Sequence, residues 1–176
     1  TKVAVEESLL DLSGADYPSV TVLRFATLFG LAPRMRFDLT VNEFTMELLT
    51  KKKLAIYGEQ HWRPYVHVTD AARAIGTVLE APQEKVGGQV FNVGDTSQNF
   101  QKGQLVDLIR DRVGVDVDIE RVQKEEDPRN YRVSFDKIKG ELDFGITRTV
   151  EEGIEEIVEA VALGVFQDLE DPRYRN

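Results

Sequence analysis

Short strand-like runs alternate with longer helix-like segments along this chain of 176 residues. Strands are predicted where β-branched and apolar residues form short runs, over 20–25, 54–57, 65–68, 89–93 and 115–122. Helices are predicted where apolar residues recur at helical spacing, over 2–12, 37–49, 71–79, 104–113, 135–142 and 150–165. This alternation is typical of the α/β class of folds.

Residues with capping side chains define several of the predicted helix boundaries. Thr149 is followed three residues later by Glu152, which is the pattern of a capping box. Thr69 or Asp70 is expected to cap the helix that follows them. We expect the 20–25 run to be a buried strand and the polar tail over 168–176 to be loose.

Composition excludes several classes of function. Acidic residues outnumber basic ones by 31 to 22, and this net charge of −9 argues against a nucleic-acid partner, which would need a basic surface. With no cysteine and two histidines, the chain has no means to form disulfides, zinc–thiolate sites or His-rich metal sites. No apolar run approaches the ~18 residues of a membrane span, and residues 1–10 lack the pattern of a signal peptide. We therefore expect a cytoplasmic protein with no metal site and no membrane contact.

The chain lacks the sequence motifs of a complete nucleotide-dependent enzyme. It contains neither GxGxxG nor GxxxxGK[ST], the glycine loops that bind phosphates after a first strand. It also has no Ser/His/Asp arrangement that local spacing would support. From the residues alone, we expect a binding and supporting half rather than a whole active site.

Four stretches carry a family resemblance, and they occur in the family's order. The first is VLRFATLFG over 22–30, similar to LRxxNxYG, and the second joins LAIYG over 54–58 to RPYVHVTDAARA over 63–74, similar to IYG…RDYVHVxDxARA. The third is VFNVG over 90–94, similar to YNVG, and the fourth joins DPRNY over 127–131 to DKI over 136–138 and LDF over 142–144. Together they resemble the C-terminal half of an extended short-chain dehydrogenase/reductase, of the NAD-dependent nucleotide-sugar epimerase/dehydratase branch.

This resemblance implies the last parallel strands of a Rossmann-type sheet plus a small α/β substrate-binding domain, with residues 1–176 as one C-terminal half. The NAD-binding N-terminal half would lie outside the chain. Lys2 stands where the lysine of the family's YxxxK motif would be, and the tyrosine would fall three residues before Thr1. The implied reaction is oxidation of the sugar at C4 with NAD, rather than NADP, so the chain alone is expected to be inactive. The helices over 2–12 and 37–49 would pair two copies into a homodimer.

The resemblance also implies roles for individual residues. Lys2 would bind the nicotinamide ribose and lower the pKa of the catalytic tyrosine, and Phe25 and Ala26 would contact the cofactor. A nucleotide-diphosphate sugar would contact Thr27, Asn42, Tyr57, Arg63, Asn92, Arg129 and Tyr131. In this set the forked guanidinium groups of Arg63 and Arg129 would hold the diphosphate, and Tyr57 would stack on the base.

Several alternatives stay open from the sequence. Thr27 stands where the family pattern has asparagine, and Asn92 could serve either the ligand or a neighbouring loop. His67 is expected to be a satisfied core residue rather than a base. The chain could instead belong to a reductase of a non-nucleotide substrate, against which the two arginines argue, or to a non-catalytic binding module. The base, the sugar and the choice between epimerase and dehydratase are all open.

Overall fold

The computed structural model describes residues 2–12, 19–114, 116–123 and 130–175. The helices of this part of the chain are α1 (Lys2–Asp11), α2 (Thr40–Lys51), α3 (Val68–Glu80), α4 (Gln83–Val86), α5 (Lys102–Val113), α6 (Asp136–Leu142) and α7 (Val150–Ala162). The strands are β1 (Val22–Phe25), β2 (Thr27–Phe29), β3 (Lys53–Tyr57), β4 (Trp62–His67), β5 (Val90–Val93), β6 (Asn99–Gln101) and β7 (Asp118–Val122). Single 3-10 turns lie at Thr96–Gln98 and Pro172–Tyr174.

Parallel pairing dominates the three small sheets that these strands form. β1 pairs with β5, β2 with β4, and β3 with β7, each in parallel, and β6 joins β4 in the antiparallel sense. In this register Phe25 lies opposite Val93, and Thr27 lies opposite Tyr65. Parallel strands connected by helices confirm the predicted α/β class.

The largest cluster of buried apolar side chains packs strands β2, β3 and β4 against helices α2, α5 and α7. Its members are Phe29, Val41, Leu48, Leu54, Ile56, Tyr65, Leu105, Val106, Ile109, Val150 and Ile154. Removing such side chains from water favours folding by ~25 cal/mol per Å² of apolar surface. The strands that carry the candidate residues Thr27 and Arg63 therefore contribute Phe29 and Tyr65 to this cluster.

The predicted capping box of α7 is confirmed. The Thr149 hydroxyl accepts a hydrogen bond from the backbone N–H of Glu152 at 3.3 Å, and the Glu152 carboxylate accepts one from the backbone N–H of Thr149 at 2.8 Å. These two bonds satisfy amide groups that have no partner within the helix. From this start, α7 buries Ile154 and Ile157 against the rest of the chain.

The strand predicted over 20–25 begins at Val22 and is only partly buried. Val22 and Leu23 are half-buried, whereas Arg24 and Phe25 are exposed. Among the described residues β1 pairs with β5 alone, so its other edge has no neighbouring strand. The expectation of a fully buried strand was therefore wrong for the described part of the chain.

The C-terminal tail is docked rather than loose. The Phe37 backbone N–H donates to the Tyr174 carbonyl at 2.8 Å, and the rings of the two residues meet edge to face with centroids 5.5 Å apart. Phe166 completes this aromatic cluster at 5.1 Å from Phe37. The tail itself is polar apart from Leu169, Pro172 and Tyr174, and the packing of the Tyr174 ring on Phe37 and Phe166 fixes it against the loop before α2.

Three short elements were not predicted from the sequence, namely β2, β6 and α4. Each has only three or four residues, which is too short for a periodic pattern to register. Helix α2 also begins later than predicted, at Thr40, and β4 begins earlier, at Trp62. The strand predicted over 115–122 starts at Asp118, and Val115 lies outside the described residues.

Within the described ranges, no helix combines the length and the apolar character that crossing a lipid bilayer requires.

Candidate functional site

Two strands end together at the edge where parallel sheets bind ligands. β1 and β5 run in parallel, and the backbone N–H of Ala26 continues their pairing by donating to the Val93 carbonyl at 3.1 Å. Phe25 is 40% exposed here, whereas Ala26 is buried. The chain then crosses to a second sheet, in which Thr27 opens β2 beside Tyr65 of β4. The carboxyl ends of parallel strands are the usual ligand edge, so Phe25, Ala26 and Thr27 occupy a suitable position.

The structure brings Arg63 and Tyr131 to one carbonyl group. Arg63 lies on β4 with 7% of its surface exposed, and its Nη1 donates to the Trp62 carbonyl at 2.7 Å. The backbone N–H of Tyr131 donates to the same oxygen at 3.4 Å, and the Asn130 side chain accepts from the Trp62 N–H at 2.9 Å. Segment 130–131 therefore runs beside the start of β4. Arg129 lies outside the described residues, so its predicted convergence with Arg63 stays a prediction.

Charge and burial at this point also act on Tyr65. Burial raises the pKa of its phenol, and the nearby Thr40 side chain and the positive charge of Arg63 only partly offset that effect. Tyr65 is therefore a neutral core residue. Its ring supports the strand on which Arg63 is presented.

Tyr57 ends β3 and is 56% exposed, so its ring is open to a stacking partner. Its carbonyl accepts a hydrogen bond from Lys102 Nζ at 3.2 Å. The backbone of α5 also holds the turn after it, because Gly103 N–H donates to the Glu59 carbonyl at 2.9 Å. This anchoring sets the separation between Tyr57 and Arg63, which stand on either side of the turn.

Asn92 lies on β5 opposite Arg24 of β1 and is half-buried. Its amide donates to the Ser134 carbonyl at 3.3 Å and so ties β5 to the segment before α6. Asn92 therefore has the structural role that the sequence left open, that of holding a neighbouring loop. Ligand contact by its remaining amide groups stays a prediction.

Asn42 is buried and serves the loop that follows β2. Its Oδ1 accepts from the Gly30 N–H at 3.0 Å, and its Nδ2 donates to the Arg36 carbonyl at 2.9 Å and to the Gly30 carbonyl at 3.4 Å. These bonds make Asn42 an anchor of the loop backbone. Direct contact of Asn42 with a substrate stays a prediction.

Lys2 lies exposed at the start of α1, a helix that buries none of its residues. The guanidinium of Arg24 on β1 binds the Glu6 carboxylate of α1, with Nε and Oε2 separated by 2.9 Å, and this bond lowers the pKa of Glu6. The pair links the helix of Lys2 to the strand of Phe25. No group of three or more His, Asp or Glu side chains in the described ranges is placed to hold a metal ion.

Lys2, Phe25 and Ala26, the residues predicted to contact a cofactor, lie on α1 and at the end of β1. Lys2 and Phe25 are exposed on the two elements that the Glu6–Arg24 pair joins, and Ala26 offers a small side chain between them and Thr27. A glycine loop for the pyrophosphate is absent from the sequence.

Comparison with known proteins decides the family. The profile of the NAD dependent epimerase/dehydratase family matches residues 1–94, which is more than half of the 176 residues. The chain belongs to this family. The match covers Lys2, Thr27, Tyr57, Arg63 and Asn92, and it confirms the resemblance seen in the sequence motifs.

Solved structures of the epimerase/dehydratase family share the fold. UDP-glucose 4-epimerase from Thermotoga maritima, solved with UDP-glucose, superposes with a TM-score of 0.80 and 26% identity over 94% of this chain and 53% of its own. dTDP-glucose 4,6-dehydratase from Bacillus anthracis, solved with NAD, gives a TM-score of 0.67 and 28% identity over 82% of this chain and 45% of its own. This epimerase/dehydratase chain therefore spans about half the length of the structures it matches.

His67 is the buried, satisfied histidine that the sequence predicted. It is 1% exposed, its Nδ1 accepts from the Thr69 N–H at 3.2 Å, and its Nε2 lies 2.9 Å from Oε2 of Glu156. The side chain that caps α3 is thus His67, and the prediction that Thr69 or Asp70 caps this helix was wrong. A histidine at a helix start gives no standard capping signal, which explains why the sequence pattern missed it.

Asp70 binds a distant segment instead of its own helix start. Fully buried, it accepts hydrogen bonds from the backbone N–H groups of Thr147 and Arg148 at 2.9–3.0 Å and from Arg73 Nη1 at 2.7 Å. Burial alone would raise the pKa of Asp70, but the bonds from Thr147, Arg73 and Arg148 together lower it. Asp70 therefore stays ionised and anchors the segment that leads into α7.

Proposed function

We propose that this chain is the substrate-binding half of an NAD-dependent nucleotide-sugar epimerase or dehydratase, whose NAD-binding half lies outside residues 1–176. Family membership supports the enzyme class. The observation that carries the substrate assignment is the position of Arg63, a nearly buried guanidinium that shares the Trp62 carbonyl with Tyr131. A guanidinium held in one orientation suits a diphosphate, because its forked N–H groups match two phosphate oxygens without titrating.

The other site residues have complementary roles in this proposal. Tyr57 stacks on the base with its exposed ring, and Thr27 contacts the sugar from the start of β2. Arg129 supplies the second guanidinium, two residues before Tyr131 in the sequence. Two of the matched structures were solved with UDP-glucose and UDP-glucuronic acid, which supports a nucleotide diphosphate as the handle that these residues bind.

The proposed redox step needs NAD and a catalytic tyrosine, which residues 1–176 would contact but do not supply. Bound NAD would supply the hydride acceptor and donor for reversible oxidation of the sugar at C4. Lys2 would place its ammonium group beside the nicotinamide ribose and would favour the phenolate of a tyrosine three residues before Thr1. Phe25 and Ala26 would border the cofactor at the end of β1. The isolated chain is accordingly expected to be inactive, and NAD is favoured over NADP because four of the matched structures were solved with NAD and one with NADPH.

Nucleotide binding by Arg63 variants of the full-length protein tests the substrate assignment. Arg63→Gln is expected to weaken binding of a nucleoside diphosphate by about 10–100-fold, because one charge-assisted pair of hydrogen bonds is lost. Arg110→Gln is the matched control, since Arg110 lies on the exposed side of α5 and pairs with Asp107 and Asp111. The measurement is titration calorimetry with UDP, dTDP, GDP and CDP in turn.

Three results would decide the assignment. Loss of affinity in Arg63→Gln but not in Arg110→Gln, with melting temperatures unchanged, would support the proposal. Wild-type nucleotide affinity in both Arg63→Gln and Arg110→Gln would overturn the role of Arg63. Failure of the wild-type protein to bind any of the four nucleotides would favour a reductase of a non-nucleotide substrate.

A further inference from the structure

A single carboxylate oxygen connects three parts of the fold beside the candidate site. Oε2 of Glu156, on α7, lies 2.9 Å from Nε2 of His67 and accepts the Leu31 backbone N–H at 3.0 Å. Because Nδ1 of His67 already accepts the Thr69 N–H, the ring hydrogen is on Nε2 and is donated to Glu156. The side chain of Glu156 is 36% exposed, so this carboxylate joins a buried histidine to a loop near the surface.

The loop that receives this carboxylate is packed directly on the imidazole. Gly30 has φ of +96°, and a Cβ placed there would lie 2.0 Å from Nε2 of His67. Only glycine allows both the left-handed backbone and this close approach. Beside this contact, Glu156 accepts the N–H of the Gly30–Leu31 peptide, and Asn42 Nδ2 donates to its carbonyl at 3.4 Å.

The same histidine also fixes the strand that precedes the loop. Phe29 pairs with His67 in the β2–β4 register, and the two rings meet edge to face with centroids 5.2 Å apart. Thr27 lies two residues before Phe29 on this three-residue strand. A shift at Leu31 would therefore reach Thr27 through a short and continuous piece of backbone.

We propose that Glu156, oriented by His67, is a positioning residue that holds the Gly30–Leu31 loop and thereby sets Thr27 in the substrate cleft. This inference rests on the proposed function for the role of Thr27, whereas the link from Glu156 to Leu31 stands on geometry alone. What the loop needs from residue 156 is a hydrogen-bond acceptor rather than a negative charge. The amide of a glutamine would supply an acceptor oxygen at the same distance along the side chain.

Three variants of the full-length protein separate positioning from general damage. Glu156→Ala removes the acceptor, Glu156→Gln keeps it, and Glu159→Ala removes an exposed carboxylate from the same helix as a matched control. In Glu156→Ala we expect faster amide exchange at Leu31 and a KM for the nucleotide sugar raised about tenfold, with kcat within about twofold of wild type. Glu156→Gln is expected to restore both values, and Glu159→Ala is expected to match wild type.

The outcomes distinguish this inference from the proposed function. Wild-type exchange at Leu31 and wild-type KM in Glu156→Ala would overturn it, as would a Glu156→Gln variant as impaired as Glu156→Ala. A parallel loss in Glu159→Ala would also overturn it, because the effect would then reflect the charge of the helix. If the wild-type protein binds no nucleotide sugar, the proposed function fails, and exchange at Leu31 still decides the link to Glu156.

Discussion

Helices α1 and α7 are similar in composition but differ in burial. Both mix Val, Leu or Ile with glutamates, two in the 10 residues of α1 and five in the 13 of α7. α7 buries Val150, Gly153, Ile154, Ile157 and Ala160, whereas α1 buries none of its residues. α7 has a capping box at its N-terminus, formed by Thr149 and Glu152, and α1 is tied to the described chain by the Glu6–Arg24 pair.

The two helices therefore differ in role: α7 contributes to the stability of the fold, whereas the exposed face of α1 is suited to association. The apolar face of α7 is covered by β2, β4, α2 and α5, so its burial contributes to folding. The apolar residues of α1 are turned to solvent, with Val5 at 59% and Leu9 at 41% exposure. Exposed apolar side chains grouped on one helix suit contact with another protein surface rather than support of this fold. We propose that a second copy of the protein covers this face in a homodimer, although α2, the other helix expected there, is largely buried.

The largest difference between the two helices is expected in the free energy of unfolding when an apolar side chain of each is truncated to alanine. Ile154→Ala should lower the free energy of unfolding by ~2–5 kcal/mol, because Ile154 is fully buried and its removal leaves a cavity. Val5→Ala, the matched truncation on α1, should change it by less than ~0.5 kcal/mol. Urea denaturation followed by circular dichroism measures both. Equal losses would mean that α1 contributes to the fold as much as α7.

A smaller decrease in the free energy of unfolding is expected when Asp70, which anchors the segment leading into α7, is replaced. Asp70→Asn should cost ~1–3 kcal/mol, because an amide cannot accept all the bonds from Thr147, Arg148 and Arg73. The folded-state pKa of Asp70 lies below its ordinary value of 3.8, so the ionised carboxylate stabilises the fold above that pH. This stabilisation is lost as the pH falls through the folded-state pKa.

The pH dependence of unfolding tests that assignment. The stability difference between wild type and Asp70→Asn should be greatest above about pH 4 and should narrow below it. Asp116→Asn is the control for the substitution itself, since Asp116 is exposed and its replacement should leave the free energy of unfolding unchanged. A difference that stayed constant down to acid pH would argue against an ionised Asp70 as the anchor.

The smallest effect on folding is expected from a charge placed on α1. Leu9→Asp should change the free energy of unfolding of a single protomer by no more than ~0.5 kcal/mol, and it should dissociate the proposed dimer, as measured by light scattering on the full-length protein. Ser8→Asp adds the same charge at an exposed neighbouring position and should leave the dimer intact. A monomeric wild type, or a dimeric Leu9→Asp variant, would refute pairing through α1.

Much of the fold was predictable because its signals are local. The β-branched, apolar run VTVLRF predicted β1, and Thr149 with Glu152 predicted the start of α7. Such signals depend on neighbours within one turn or one strand, which the sequence displays directly. The site was predictable only through motifs, since Arg63 has no local feature that separates it from a surface arginine.

Long-range contacts account for what the sequence patterns missed. Asp70 resembles a helix cap by position, but its partners Thr147 and Arg148 lie 77 and 78 residues away. β2 is defined by its pairing with β4. The C-terminal tail is docked by the hydrogen bond from the Phe37 N–H to the Tyr174 carbonyl. None of these pairings leaves a periodic pattern, because each depends on chain segments that meet after folding.

By itself the sequence determined the α/β class, most helix and strand positions and the epimerase/dehydratase resemblance, because apolar periodicity and short motifs are properties of neighbouring residues. Only the tertiary structure decided that Arg63 and Tyr131 share the Trp62 carbonyl and that Glu156 reaches Leu31. Hydrogen bonds between groups far apart in the chain form only where packing brings their atoms within about 3 Å.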